Sequence, residues 1–231
     1  GAGVVIARYF GAQDSEGVHD AVHTTLAATF IGGLFLTVVG VLLSPTVVRM
    51  IGVPENIMAD SISYLRIYFG GIIAMMTYNM GAGILRAVGD SKPPLYFLII
   101  SSIINIILDM LFVIIFDMGV AGVAISTVTA RVIALTVALI IFYRLKIGKI
   151  SFKELTPFPT KIFVKMLRIG VPSAGENLVY SFYQLILMSF INPMGAAAAN
   201  AKVYANTLMS FSVVFANAMA QATQIVTGHL V

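Results

Sequence analysis

Apolar residues run through this chain in long blocks instead of alternating, and the blocks are greasy on nearly every helical face. A helix that crosses a bilayer needs about 20 mostly apolar residues at 1.5 Å of rise each. Five stretches meet that length: Ala21–Leu43, Ile62–Leu85, Leu95–Phe116, Val120–Tyr143 and Val171–Ile191. A sixth, Val203–Val231, is more polar but long enough, and Gly1–Phe10 reads as the tail of a further helix. Apolar residues all round a helix fit burial in lipid. The ten-residue alternating segments of a membrane β-barrel are not visible. The pattern therefore predicts an all-α integral membrane protein.

Turn chemistry separates the blocks. Gly11-Ala12-Gln13-Asp14-Ser15-Glu16-Gly17, Gly52-Val53-Pro54-Glu55-Asn56, Gly89-Asp90-Ser91-Lys92-Pro93-Pro94, Asp117-Met118-Gly119 and Asn192-Pro193-Met194-Gly195 all carry Gly, Pro, Asn or Asp where a helix must stop. One connection is long, from Arg144 to Arg168. In its second half, Thr160–Leu167, Ile162, Phe163, Met166 and Leu167 are set against Lys161, Lys165 and Arg168. That spacing predicts an interfacial amphipathic helix, with a solvated linker helix as the plainer alternative.

Composition turns this pattern into a choice of solvent. Of 231 residues, 59% are hydrophobic and only 10% are charged, against about 25% charged in a soluble domain. Ten acids and fourteen bases cannot cover the surface of a soluble protein of this size, which excludes a cytosolic enzyme, a disordered chain and a nucleic-acid-binding module. The absence of cysteine removes disulfides, thiol catalysis and cysteine metal sites. The chain opens Gly1-Ala2-Gly3 without Met and closes inside an apolar run at His229-Leu230-Val231, so both ends read as cut.

The net charge of +4 is concentrated in loops on one side. Arg8, Arg86, Lys92, Arg144, Lys146, Lys149, Lys153, Lys161, Lys165 and Arg168 fall on one side of the membrane. Arg49 and Lys202 fall on the other, with Arg66 near them, and Arg131 is left within a span. The excess of Lys and Arg places the long connection in the cytoplasm. An internal repeat fits the same layout: Val4-Val5-Ile6-Ala7-Arg8-Tyr9-Phe10 lies over Ile225-Val226-Thr227-Gly228-His229-Leu230-Val231 at an offset of 221 residues. Parallel repeats of this kind occur in transporters whose substrate path runs between two halves.

Ionisable and polar residues inside spans are the functional candidates, because lipid makes them costly. Asn105 and Asp109 are four residues apart on one helix, and so are Thr127 and Arg131 on the next. Counted from Met118, Asp109 and Thr127 are each nine residues away, while Asn105 and Arg131 are each thirteen away. Equal counts predict equal depth in an antiparallel pair. A carboxylate, an amide and a hydroxyl suit a hard cation, and the carboxylate alone can carry a proton; Arg131 is a candidate counter-charge to Asp109. The structural alternative is that Asn105 and Thr127 join helices by hydrogen bonds while Asp109 and Arg131 form an ion pair. Glu176 follows Gly170-Val171-Pro172-Ser173-Ala174-Gly175, a run that predicts a bent or unwound helix start. Glu176, Asn79 and Gln184 are candidate cavity residues. Twelve Met and fifteen Phe suit either a cavity for varied ligands or a lipid-facing surface.

One enzyme motif competes. His19-Asp20-Ala21-Val22-His23 has the spacing of a zinc-protease helix, with Asp in place of Glu. The shorter acid would reach a zinc-bound water poorly, and no third ligand is evident. No other catalytic constellation or nucleotide fingerprint is present, so the reading is of a non-enzyme.

At Ile6-Ala7-Arg8-Tyr9-Phe10-Gly11-Ala12, Tyr64-Leu65-Arg66-Ile67-Tyr68, Gly83-Ile84-Leu85-Arg86-Ala87-Val88-Gly89-Asp90-Ser91-Lys92 with Pro94, Asn105 with Asp109, Gly119-Val120-Ala121-Gly122-Val123-Ala124 and Gly170-Val171-Pro172, the chain resembles the multidrug and toxic compound extrusion (MATE) transporters. The resemblance runs from the end of the family's second helix to its eighth. It implies a fragment of a twelve-helix, two-lobe transporter with parallel six-helix repeats. Residues 1–143 would then belong to the N-terminal lobe, 144–168 to the cytoplasmic connection and 169–231 to the start of the C-terminal lobe. It also implies an acidic cation site at Asp109, Asn105 and Thr127, completed in the family by an acid on the first helix, which this chain lacks. The Glu176 position departs from the family's seventh-helix glutamate. The implied function is export of amphiphilic or cationic compounds by alternating access across the bacterial inner membrane. It would be driven by H+ or Na+, leaning to H+ because Arg131 would compete with sodium. No cofactor is implied beyond the transported ion, and the partners implied are the bilayer and small substrates, with a monomer at full length. The alternatives are a lipid-linked oligosaccharide flippase of the same superfamily and, in another class, an intramembrane zinc protease.

Overall fold

A computed structural model describes all residues apart from Gly52, Pro54, 146–158, Asn192, Pro193 and Val231. Among the described residues the chain is helical throughout, without a strand: α1 (Ala2–Gly11), α2 (Ser15–Met50), α3 (Glu55–Gly70), α4 (Ile72–Ala87), α5 (Lys92–Asp109), a π-helical turn (Met110–Ile115), α6 (Gly119–Leu145), α7 (Thr160–Ile191) and α8 (Ala196–Leu230). Among the described residues, four segments can cross a membrane by length and composition: Ser15–Met50, Lys92–Ile115, Gly119–Ile140 and Asn200–Leu230. The bent pair α3 and α4 makes a fifth if it is one span.

Three expectations change. The stretch 171–191 lies in α7, which is not among those segments, because Ser173, Glu176, Asn177, Ser181 and Gln184 interrupt its apolar run. Residues 160–167 are not a separate interfacial helix but the first turns of α7. Nor is the start of the 171–191 stretch unwound: α7 continues through Pro172. Most of the long basic connection, including Lys146, Lys149 and Lys153, lies outside the described residues.

The chain divides into two compact units, Gly1–Val18 with Pro159–Val231, and His19–Phe158. In the first, α1 packs against α7 and α8. Asp14 caps α2, its Oδ1 accepting from the Gly17 N–H at 2.9 Å. The α1–α8 contact is made by small residues. A Cβ built on Gly228 would lie 3.0 Å from Ala7 Cβ, and a Cβ on Gly11 would collide with the His229 carbonyl. The Phe10 and His229 rings sit 5.4 Å apart. From α7, Lys165 lies over the Tyr9 ring at 5.2 Å and bonds its hydroxyl at 3.4 Å.

In the second unit α6 is the central helix, packed against α3, α4, α5 and the π-helical turn. One buried row recurs every fourth residue and is small throughout: Gly122, Ser126, Ala130, Ala134 and Ala138, with Ala124 buried beside it. Small residues let helix backbones approach where lipid gives no hydrophobic drive to associate. α5 and α6 run antiparallel, joined by a reversal in which Asp117 (φ 51°) and Gly119 (φ 54°) adopt the left-handed conformation. α2 meets the α3–α4 pair along Gly33, Thr37 and Gly40: the Thr37 hydroxyl donates to the Phe69 carbonyl at 3.0 Å, and a Cβ on Gly33 would lie 3.2 Å from Ile73. Between α3 and α4 the axis turns by 46° at Gly70-Gly71. A glycine pair is a common cause of such a bend. Here it is also sterically required, since a Cβ on Gly71 would come within 2.5 Å of both Val128 methyls on α6.

Candidate functional site

Asp109 is the last residue of α5, at its junction with the π-helical turn. Such turns are rare and gather at functional positions. The buried Ser126 on α6 donates its hydroxyl to Asp109 Oδ1. Ser126 Oγ is also 2.9 Å from the Val123 carbonyl oxygen. A hydroxyl has one proton to donate, so Asp109 Oδ1 and the Val123 carbonyl share it.

The partner of Asp109 is therefore Ser126 and not its neighbour Thr127, which is half-buried and about 100° further round α6. The shift of one residue comes from the π-helical turn. There Phe116 N–H bonds the Leu111 carbonyl, five residues back, at 3.0 Å, so more residues are packed into the same rise than in an α-helix. Equal counts from Met118 then no longer reach equal depth.

Further along the same seam Ser101 donates its hydroxyl to the Ala130 carbonyl at 3.4 Å. Asn105 is midway along the chain between Ser101 and Asp109, on the same helical face of α5. Its Nδ2 is buried and has no hydrogen-bond partner among the described residues. Arg131 does not pair with Asp109. Its guanidinium carbon sits 5.5 Å above the centroid of Tyr78 of α4, a ring only 4% exposed. Among the described residues no carboxylate reaches Arg131, and the counter-charge expected between Arg131 and Asp109 is replaced by a cation–π contact.

The other candidates stand apart. Asn79 and Glu176 are exposed, and Gln184 donates to the Tyr180 hydroxyl at 2.7 Å one turn away on α7. The His19 and His23 rings are 4.0 Å apart, and His23 Nδ1 is 2.9 Å from the His19 carbonyl oxygen. Among the described residues no group of three His, Cys, Asp or Glu gathers to hold a metal. Sequence reasoning missed Ser126 and Tyr78. The signal for Ser126 was the fourfold spacing of small residues on α6, which marks the packed face; Tyr78 sat in an apolar run with nothing to single it out.

A family model described as MatE matches residues 1–111. The chain is 31% identical over 237 residues to the uncharacterized transporter YisQ of Bacillus subtilis (strain 168), covering 100% of this chain and 52% of that protein. It is 32% identical over 219 residues to the probable multidrug resistance protein YoeA of the same organism, covering 91% and 47%. Among solved structures, the outward-facing conformation of a multidrug resistance MATE family transporter of the MOP superfamily superposes with a TM-score of 0.87 at 27% identity, over 99% of this chain and 51% of that one. A MATE transporter in its straight conformation superposes with a TM-score of 0.87 at 28% identity, over 99% and 51%. The chain thus spans about half the length of the relatives it matches. On a helical fold of apolar spans, these likenesses decide the family: the chain belongs to the MATE family of multi-pass membrane transporters.

Proposed function

We propose that the full-length protein exports amphiphilic compounds across the bacterial plasma membrane by cation-coupled antiport, and that Asp109 is the group through which the cation acts. In this reading residues 1–143 belong to one lobe and 169–231 to the other, with 144–168 connecting them on the cytoplasmic side. Relatives named as multidrug resistance and multidrug export proteins support the substrate class. The observation that carries the reading is the Asp109–Ser126 hydrogen bond at the end of α5, within a segment otherwise apolar enough to cross a membrane. A carboxyl held there is costly unless its charge state is used.

The coupling ion is the proton. A carboxyl takes up and releases a proton, and the Ser126 bond ties the state of Asp109 to the α5–α6 seam. Binding the proton thus stabilises one arrangement of the α5–α6 seam over another, which is what coupling requires. Asn105 and Thr127 flank the carboxyl and tune its surroundings. Efflux from vesicles under separately imposed pH and sodium gradients tests the reading: a pH gradient alone drives export, and Asp109→Asn abolishes the gradient dependence. Normal pH-driven export by Asp109→Asn removes Asp109 from the mechanism, and export driven by sodium alone removes the proton.

A further inference from the structure

Arg131 is the thirteenth residue of the span Gly119–Ile140. It lies about 18 Å of helix rise from one end and about 13 Å from the other, too deep for the side chain to snorkel to water. A guanidinium carries five N–H donors and no acceptor. The Tyr78 ring beneath it supplies electrostatic support at 5.5 Å but accepts none of those hydrogens in the ring plane. Among the described residues no carboxylate lies within ion-pair distance, and the one intramembrane acid nearby in the fold, Asp109, is engaged by Ser126. The facing helix α5 adds a further unspent donor, the buried Asn105 Nδ2. This unit is thus rich in donors and short of acceptors, although Arg131 itself is half-exposed and its edge is reachable.

We infer that Arg131, seated on Tyr78, is a substrate-binding residue that takes an oxyanion, the carboxylate or phosphate of an acidic amphiphile. This rests on the export reading above and sharpens its substrate class, replacing the cationic compound expected from the sequence by one with an acidic group. The chemistry fits. A guanidinium fork binds carboxylate or phosphate by two parallel hydrogen bonds, and stacking on an aromatic face fixes its plane without using those donors. The same oxyanion is offered by a dissolved organic acid and by an anionic lipid headgroup.

The test is equilibrium binding by the full-length protein in phosphatidylcholine nanodiscs, with no ion gradient. The probes are dansyl-undecanoate, its methyl ester and dansyl-undecyl-trimethylammonium, with phosphatidic acid added to the discs in a separate arm. Wild type prefers the carboxylate over its ester at least about tenfold, the value of one charge-assisted bidentate contact. Arg131→Gln removes that preference without changing affinity for the ester, Arg131→Lys keeps part of it, and Tyr78→Leu weakens it while Tyr78→Phe does not. Competition by phosphatidic acid assigns the site to lipid headgroups, and its absence assigns it to dissolved acids; either supports an oxyanion site. Equal binding of acid and ester by wild type, as expected if a carboxylate elsewhere in the full-length protein neutralises Arg131, overturns the inference. So does an Arg131→Gln variant that weakens all three probes alike. Because binding needs no gradient, selective binding together with normal export by Asp109→Asn would sink the coupling role of Asp109 and leave Arg131 standing.

Discussion

Ala7 of α1 and Gly228 of α8 occupy matching places in the two strings related by an offset of 221 residues, and they touch: a Cβ on Gly228 would lie 3.0 Å from that of Ala7. Equivalent positions that meet each other are what a twofold relation between repeats produces at its axis, as in an isologous interface. The contact thus adds a spatial argument to a sequence match that rests only on similarity of residue class.

A cross-link checks this contact. The chain holds no native cysteine, so Ala7→Cys with Gly228→Cys in an otherwise cysteine-free full-length protein gives one defined pair, close to the Cβ separation a disulfide needs. Mild oxidation is expected to join most of the molecules and to stop transport until reductant is added. Failure to cross-link in every transport condition would show that α1 and α8 do not meet.

Ser126 carries a prediction of its own. Removing a hydrogen-bond partner from a half-buried carboxyl costs on the order of 1 kcal/mol. Ser126→Ala is therefore expected to lower the detergent melting temperature and weaken export, whereas Thr127→Val, one position round α6, has a smaller effect on both. Equal effects from the two variants would return Thr127 to the place the residue count gave it.

How far the sequence could be read is clearest at this seam. Asn105 and Asp109 stand out because polar residues are rare in an apolar run, and their shared face follows from helical spacing alone. The choice between Ser126 and Thr127 depended on the rise per residue. Leu111-Phe112-Val113-Ile114-Ile115 gives no hint that the helix widens there. The π-helical turn packs against α6, and its run of apolar residues carries no local signal for it. Arg131 was legible as an intramembrane charge but not as a partner of Tyr78, because that contact joins residues far apart in the chain. In α7, Gly170 and Pro172 suggested a broken start, yet the helix tolerates Pro172 with the loss of one internal bond.

The bend at Gly70-Gly71 yields the third test. A Cβ on Gly71 meets two Val128 methyls at 2.5 Å, so Gly71→Ala is expected to destabilise the full-length protein by about 1–3 kcal/mol through overpacking. Val128→Ala makes room. The double variant should recover most of the loss, giving a coupling energy of at least about 0.5 kcal/mol in a thermal-unfolding cycle. Additive losses would mean that α4 and α6 do not pack at this point.

The spine of α6, with Gly122, Ser126, Ala130, Ala134 and Ala138 turned inward, bears on how this protein can evolve. Its neighbours fit because those positions hold almost nothing, so there is little to trim and much to obstruct. Drift along that edge is one-sided: apart from Ser126, whose hydroxyl holds Asp109, the positions accept only other small residues, and any bulkier newcomer pries the bundle apart. New specificities have more room about 100° round the same helix, where Arg131 stands.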